Sequence, residues 1–482
     1  MAMETRGIFL NISPLDHRYY QSNKELFDSL SCYLSEEASV RYCAKVELAL
    51  LKTHLALNKL DSEQLIKAID VAQEKISPEI VYQEEEKTQH NIRALVNTLK
   101  PLLPEDIRHF VHMGATSVDI LDTANALKIR DAVQNVIIPE LQALEVKLCE
   151  LCEQEAETPQ VGRTHGQYAV PITFGFTVAE YVSRLGKSII KILDFSKDLR
   201  GKLAGAVGAY NATSMITSDP YELERTCLAL LELKPSDHST QMVEPEYLLR
   251  LLLEINTAFG IIANLADDFR NLQRSEIDEI REYFSPTQVG SSTMPQKRNP
   301  WNCEHVKSLW KAFAPRVMTF YMDQISEHQR DLTNSASGRF VAEYIAGFAA
   351  AVRRMNKIIS GLSVNREQLL TTLEERAGSS VLAEPAYILL SQQGEADAHE
   401  IIRKLTLKAN TEHITFVEAM KQDPAVWEKV TARLAQITGQ NADTFFSSPA
   451  NYRGMAAIKA HELAQEWRKR MQGLNEAGNR SR

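Results

Sequence analysis

Helix breakers are scarce in this chain. Its 482 residues include 20 Gly and 17 Pro, about 8% together against an average of roughly 12%. Gly and Pro interrupt regular elements and fill turns, so few of them mean few turns and long elements. Basic excess is missing too: 54 Lys plus Arg face 63 Asp plus Glu, giving a net charge of −9 and a pI near 5.8. That excludes a general nucleic-acid binder while leaving room for local basic pockets that hold anionic metabolites. No apolar run reaches the ~18 residues of a membrane span, and Met1–Leu10 lacks an apolar core of signal-peptide length. The six cysteines are scattered through a large chain, unlike a disulfide framework, and a reducing cytoplasm is expected.

What is present is helical patterning. Val341, Ile345, Phe348, Val352, Met355, Ile359 and Leu362 step by four and three in turn. Leu251, Ile255, Ala258, Ile262, Leu265, Phe269 and Leu272 do the same, as do Val178, Val182, Leu185, Ile189 and Ile192. Such stripes are the faces that bundle helices bury against one another. Shorter helical patterns occupy the rest, with no alternation long enough to predict a sheet and no repeat. The expected fold is all-α: an N-terminal helical domain (1–112), a central long-helix bundle (113–363) and a C-terminal helical domain (364–482). The polar tail from Gly473 is expected to fray.

Four segments depart from this logic. Phe284–Pro300 gathers Pro286, Gly290, Pro295 and Pro300 with the hydroxyls Ser291, Ser292 and Thr293, the cations Lys297 and Arg298, and Asn299. A mobile loop that offers a hydroxyl beside positive charge suits binding an anion and removing a neighbouring proton. It is not a nucleotide P-loop, because the second Gly and the Gly-Lys-Ser/Thr ending are missing. The other three are His112-Met-Gly-Ala-Thr-Ser-Val-Asp119, Gly162-Arg-Thr-His-Gly-Gln167 and Ser239-Thr-Gln241. Thr116, Ser117 or Thr164 alone would serve as a helix cap, but the joint occurrence is hard to explain by capping. His109 and His112, three apart, lack the third ligand of a metal site. Cys149 and Cys152 sit in a helical pattern and are expected to be buried.

Gly290-Ser-Ser-Thr-Met-Pro-Gln-Lys-Arg-Asn-Pro300 resembles the signature of the fumarase/aspartase superfamily, and the Gly-Ala-Thr-Ser-Val-Asp and Gly-Arg-Thr-His-Gly-Gln segments match two further superfamily regions in order. Within it, Ser13-Pro-Leu-Asp-His-Arg-Tyr19, Thr88-Gln-His-Asn91 and Arg330-Asp331 with Ser335-Ala-Ser-Gly-Arg339 resemble the nucleotide-contacting stretches of the adenylosuccinate lyases. The resemblance implies elimination of fumarate from adenylosuccinate and from the succinyl-carboxamide imidazole ribotide of purine synthesis. It also implies no metal or organic cofactor, no nucleic-acid or membrane partner, and a homotetramer with active sites shared between subunits.

Carried over position by position, Ser291 is the general base and His165 the general acid, with Glu304 orienting His165. Lys297, Asn299, Thr116, Ser117 and Gln241 hold the succinyl carboxylates. His112, Thr164, Ser292 and Met294 line the pocket, with His90 nearer the phosphate, and Arg18, Tyr19, Arg330, Ser335 and Arg339 bind the nucleotide. An unaided serine is a poor base, so Lys297 and nearby backbone N–H groups would have to favour its alkoxide. Asn91, Gln296 and Glu244 depart from residues common in relatives. The alternatives are an argininosuccinate lyase, a 3-carboxymuconate cycloisomerase, or a structural relative without activity. The Arg18-Tyr19 element argues against the first two, and retention of Ser291, His165, Lys297 and Glu304 against the third.

Overall fold

The computed structural model describes residues 6–480, with side chains to residue 474. Its helices include α1 (Glu36–Leu57), α2 (Ser117–Ala132), α3 (Ile138–Gln154), α4 (Phe174–Lys197), α5 (Glu246–Leu272), α6 (Trp301–Phe313), α7 (Val341–Ser360) and α8 (Ala456–Arg480). The three apolar stripes lie on α4, α5 and α7, except that Leu362 falls just past the end of α7, and their members are buried apart from Leu272 and Leu362, which are partly exposed. Helix α5 is long and apolar enough to cross a membrane, yet 56% of its most apolar window is already buried in the fold. A core helix passes that test for the same reason a membrane helix does.

A widened turn, Val133–Ile137, joins α2 to α3. It ends two residues before Pro139, which has no N–H to give to the carbonyl four residues back, and a local π-type turn accommodates that gap.

The chain forms two compact units. Among the described residues, one takes in those up to Leu141, Lys187–Ile262 and Ser308–Arg353; the other takes in Gln142–Gly186, Ala263–Lys307 and those from Arg354 on. The division falls inside α3, α4, α5, α6 and α7, so long helices contribute to both. In the second unit, the helices between Ala383 and Thr438 close around Leu390, Phe416, Met420 and Val430.

Two expectations change. A β-hairpin is present, β1 (Pro159–Thr164) antiparallel to β2 (Gln167–Thr173). Its alternation is hidden because Gln160 and Val161 are both buried and the register shifts between Val161 and Arg163. The tail is also helical as far as Arg480 within α8, while Ser481 and Arg482 lie outside the described residues.

Candidate active site

The hairpin explains His165. Thr164 pairs with Gln167, leaving His165 and Gly166 as a two-residue connection with φ of 54° and 74°. Two consecutive positive φ values are those of a type I′ turn, whose twist matches that of the strands. The turn holds the imidazole exposed at the hairpin tip, and Thr164 is a strand residue rather than a helix cap. Behind the tip, Arg163 forms a two-point pair with the fully buried carboxylate of Glu279, at 3.2 and 2.5 Å. Gln160 Nε2 donates to the same carboxylate at 2.9 Å. A paired guanidinium fork fixes orientation as well as charge, so the turn stands on a rigid floor.

The Phe284–Pro300 loop is folded on itself. A Cβ added at Gly290 would lie 2.1 Å from the Lys297 carbonyl oxygen, so only glycine fits there. Asn299 Nδ2 donates to the Gly290 carbonyl at 3.0 Å, bracing the same closure. Ser291 Oγ accepts N–H bonds from Thr293 (3.3 Å) and Met294 (3.1 Å). Two backbone dipoles therefore converge on this oxygen and favour negative charge on it. Ser292, Met294 and Lys297 are exposed. Glu304 lies in the first turn of α6 and is exposed; among the described residues it makes neither a hydrogen bond nor an ion pair to His165. The start of α6 is held by Glu282, whose carboxylate accepts from the N–H groups of Asn302 (3.2 Å) and Cys303 (2.9 Å).

The other unit carries most of the expected binding residues. His112 has a left-handed backbone (φ 64°), and its Nδ1 lies 2.7 Å from Oε1 of Glu47 on α1. At the start of α2, Asp119 Oδ2 accepts from the Thr116 N–H at 2.8 Å. Asp119 is fully buried and paired with the equally buried Lys202, and it also accepts from the Gly205 N–H. One turn on, Asp122 Oδ2 accepts from the Val243 N–H at 2.9 Å, and burial raises its pKa to about 6. The Asp119–Asp122 turn thus fastens both the Thr116-Ser117 segment and the chain just past Gln241. The N–H of Gln241 itself donates to the Gln329 carbonyl at 3.2 Å.

Ser117 Oγ and His90 Nε2 lie 3.4 Å apart, and His90 Nδ1 accepts the Arg93 N–H, capping the helix Asn91–Leu99. Arg330 also has positive φ (91°); its Nη2 donates to the Asp323 carbonyl at 3.0 Å, and its buried Nε has no partner among the described residues. Ser335 and Arg339 are exposed on the following segment, and Arg18 is exposed at the first position of the short helix Arg18–Ser22, with Tyr19 partly buried beside it.

The sequence is similar to known proteins over nearly the whole chain. The family model described as lyase matches residues 17–314, and the one described as adenylosuccinate lyase C-terminal matches residues 326–442. The adenylosuccinate lyase of Pyrococcus horikoshii is 31% identical over 94% of this chain and 97% of its own. The chain belongs to the adenylosuccinate lyase family. It is a lyase of the fumarase/aspartase superfamily. The family also has a neighbour of different substrate: the N-acetyl-S-(2-succino)cysteine lyase of Enterococcus italicus is 28% identical over 90% of this chain and 93% of its own. The crystal structure of the 3-carboxy-cis,cis-muconate lactonizing enzyme from Pseudomonas putida has a TM-score of 0.76 at 22% identity, covering 95% of this chain and 100% of its own, which establishes a shared fold.

The side chains that hold the expected site residues in place mostly lie far from them in the sequence. Glu47, Lys202, Glu279 and Glu282 carry no local signal, because they lie 65, 83, 116 and 21 positions from their partners His112, Asp119, Arg163 and Cys303. Asp119 does carry one, three residues after the Thr116 whose N–H it accepts. The hairpin does leave a trace: His-Gly between Thr164 and Gln167, followed by Tyr-Ala-Val-Pro-Ile-Thr, is a short-turn pattern with strand formers behind it. The cysteines are as expected. Cys149 and Cys152 are fully buried, and the Cys152 thiol donates to the Gly175 and Ala460 carbonyls.

Proposed function

We propose that the chain eliminates fumarate from adenylosuccinate, leaving AMP, and from the succinyl-carboxamide imidazole ribotide. Ser291 Oγ removes the proton beside a succinyl carboxylate, the electron pair left on carbon forms the new double bond, and the carbon–nitrogen bond breaks. His165 gives the departing nitrogen its proton. An ordinary imidazole, with a pKa of roughly 6.5, has both protonation states available near neutrality. The observation that carries this reading is the pair of N–H groups on Ser291 Oγ. Preformed dipoles at the atom that gains charge lower the barrier without reorganisation, and they supply what a serine base lacks.

In the same reading Lys297, Asn299, Thr116, Ser117 and Gln241 hold the succinyl carboxylates. Arg18, Tyr19, His90, Arg330, Ser335 and Arg339 hold the nucleotide, and Thr164, Ser292 and Met294 line the pocket. The enzyme is a cytoplasmic homotetramer with no metal or organic cofactor, and each active site draws on three subunits. Exposure of His165 at a hairpin tip and of Glu304 at a helix start supports their meeting across subunits, where Glu304 would orient the imidazole.

A second reading, cleavage of a succinyl thioether, is favoured by the Enterococcus italicus relative. Fumarate release measured with adenylosuccinate, N-acetyl-S-(2-succino)cysteine and argininosuccinate, together with ring opening of carboxymuconolactone to its open-chain isomer, separates the readings. Adenylosuccinate is expected to be the best substrate; release of fumarate from the thioether alone would replace the first reading with the second.

A further inference from the structure

The buried carboxylate beneath His112 has no part in the chemistry just described. Glu47 is fully buried in the middle of α1, where an ionised side chain is costly unless paired. Its Oε1 faces His112 Nδ1 at 2.7 Å, and its Oε2 has no hydrogen-bond partner among the described residues. One contact therefore carries all the compensation the carboxylate receives. A carboxylate accepts only, so Nδ1 must be the protonated nitrogen. Nε2 is then free to be a bare acceptor or a second, charged donor. The side chain of His112 is 24% exposed, and Nε2 has no protein partner among the described residues.

The surroundings favour the charged form. Burial alone would lower the His112 pKa, but the hydrogen bond and charge of Glu47, with Asp119 on α2 behind it, outweigh burial and the opposing Arg93, so the pKa is raised above the ordinary value. The thiols that feel the charge of Glu47, Cys43 and Cys227, are both pushed up to about 12 by burial and stay neutral. The backbone of His112 is left-handed, an uncommon conformation for a non-glycine residue that persists where the surroundings impose it.

We propose that Glu47 is a positioning residue that holds His112 as an imidazolium with Nε2–H presented as a charged donor to an oxyanion of the substrate. The identity of that substrate rests on the adenylosuccinate lyase reading; the tethering of His112 does not. The oxyanion is a carboxylate or a phosphate oxygen, and the two product halves distinguish them. A charged donor is worth more than a neutral one by enough to change affinity about tenfold.

The test is calorimetric titration of the wild-type protein and of Glu47→Gln with AMP and, separately, with fumarate, alongside an NMR titration of the His112 imidazole assigned with His112→Gln. The expected result is loss of about tenfold in affinity for one product and less than about twofold for the other, with His112 titrating at least about one pH unit lower. Weakened AMP assigns the phosphate, weakened fumarate the carboxylate. Equal loss of both, loss of neither, or an unmoved His112 titration overturns the proposal. If Glu47→Gln does not fold, the wild-type titration decides: His112 neutral at pH 7 overturns the proposal, and His112 charged at pH 7 with tenfold weaker binding of one product by His112→Gln upholds it. If the wild-type protein bound neither product, the functional reading would fail, while the His112 titration would still report on Glu47.

Discussion

The serine loop and the His112 neighbourhood present polar groups by opposite means. In the loop, Ser291, Lys297 and Asn299 are held by backbone: N–H groups on Ser291 Oγ, and a glycine that lets two strands of loop approach. Around His112, side chains are fixed by buried charge: Glu47 under the imidazole, and Lys202 under the Asp119 that holds the Thr116 N–H. Backbone support lets a segment stay exposed and move as a body, which suits a loop that closes on substrate. Buried charge pairs tolerate little movement, because a shifted partner leaves an uncompensated charge. The contrast is between support by backbone groups and support by buried side-chain pairs.

The largest effect is expected from the buried pair. Lys202→Met strands Asp119 in the interior and should destabilise folding by roughly 3–5 kcal/mol, read as a lower denaturant midpoint. A change below about 1 kcal/mol would show that Asp119 is protonated or hydrated instead.

Asp122 offers a test of opposite sign. Its folded pKa of about 6 lies above the ordinary value of 3.8, so the neutral form is the one the fold prefers. The stability linked to this group is fully present below about pH 4 and lost as pH rises through about 6. Asp122→Asn keeps an acceptor for the Val243 N–H. It should therefore stabilise the protein at pH 7 by up to about 3 kcal/mol, with the advantage vanishing near pH 4 in unfolding curves. A constant difference across that range would remove titration from the account.

On the loop side, Gly290→Ala forces a methyl group into the Lys297 carbonyl. Turnover should fall about a hundredfold, as misplaced catalytic groups do, with the melting temperature nearly unchanged. A matching loss of stability would mean the loop is part of the core. The smallest change belongs to the hairpin tip. Gly166 has φ of +74° with open space around it, so Gly166→Ala adds only backbone strain of about 1–2 kcal/mol, visible as a modest fall in midpoint.

The same contrast explains what can be read from sequence. Helices α4, α5 and α7 are legible because their apolar stripes repeat within a few residues, and the loop because it concentrates breakers that are rare elsewhere. Two-residue turns and single pairings are not legible that way. The hairpin beneath His165 has one short turn and a bulge to announce it, too little to stand out from the helical patterns around it. Glu47 looks like any helical glutamate until α1 is packed beside His112. Long-range pairing is a property of the fold, and a single sequence records only one partner at a time.

The central claim is that Ser291 is the base. Adenylosuccinate binding and fumarate release should be measured on wild type and Ser291→Ala under the same conditions. Binding within a few-fold of wild type with turnover reduced by orders of magnitude (about 10² or more) is the predicted result. Turnover near the wild-type rate would contradict it and place the base elsewhere.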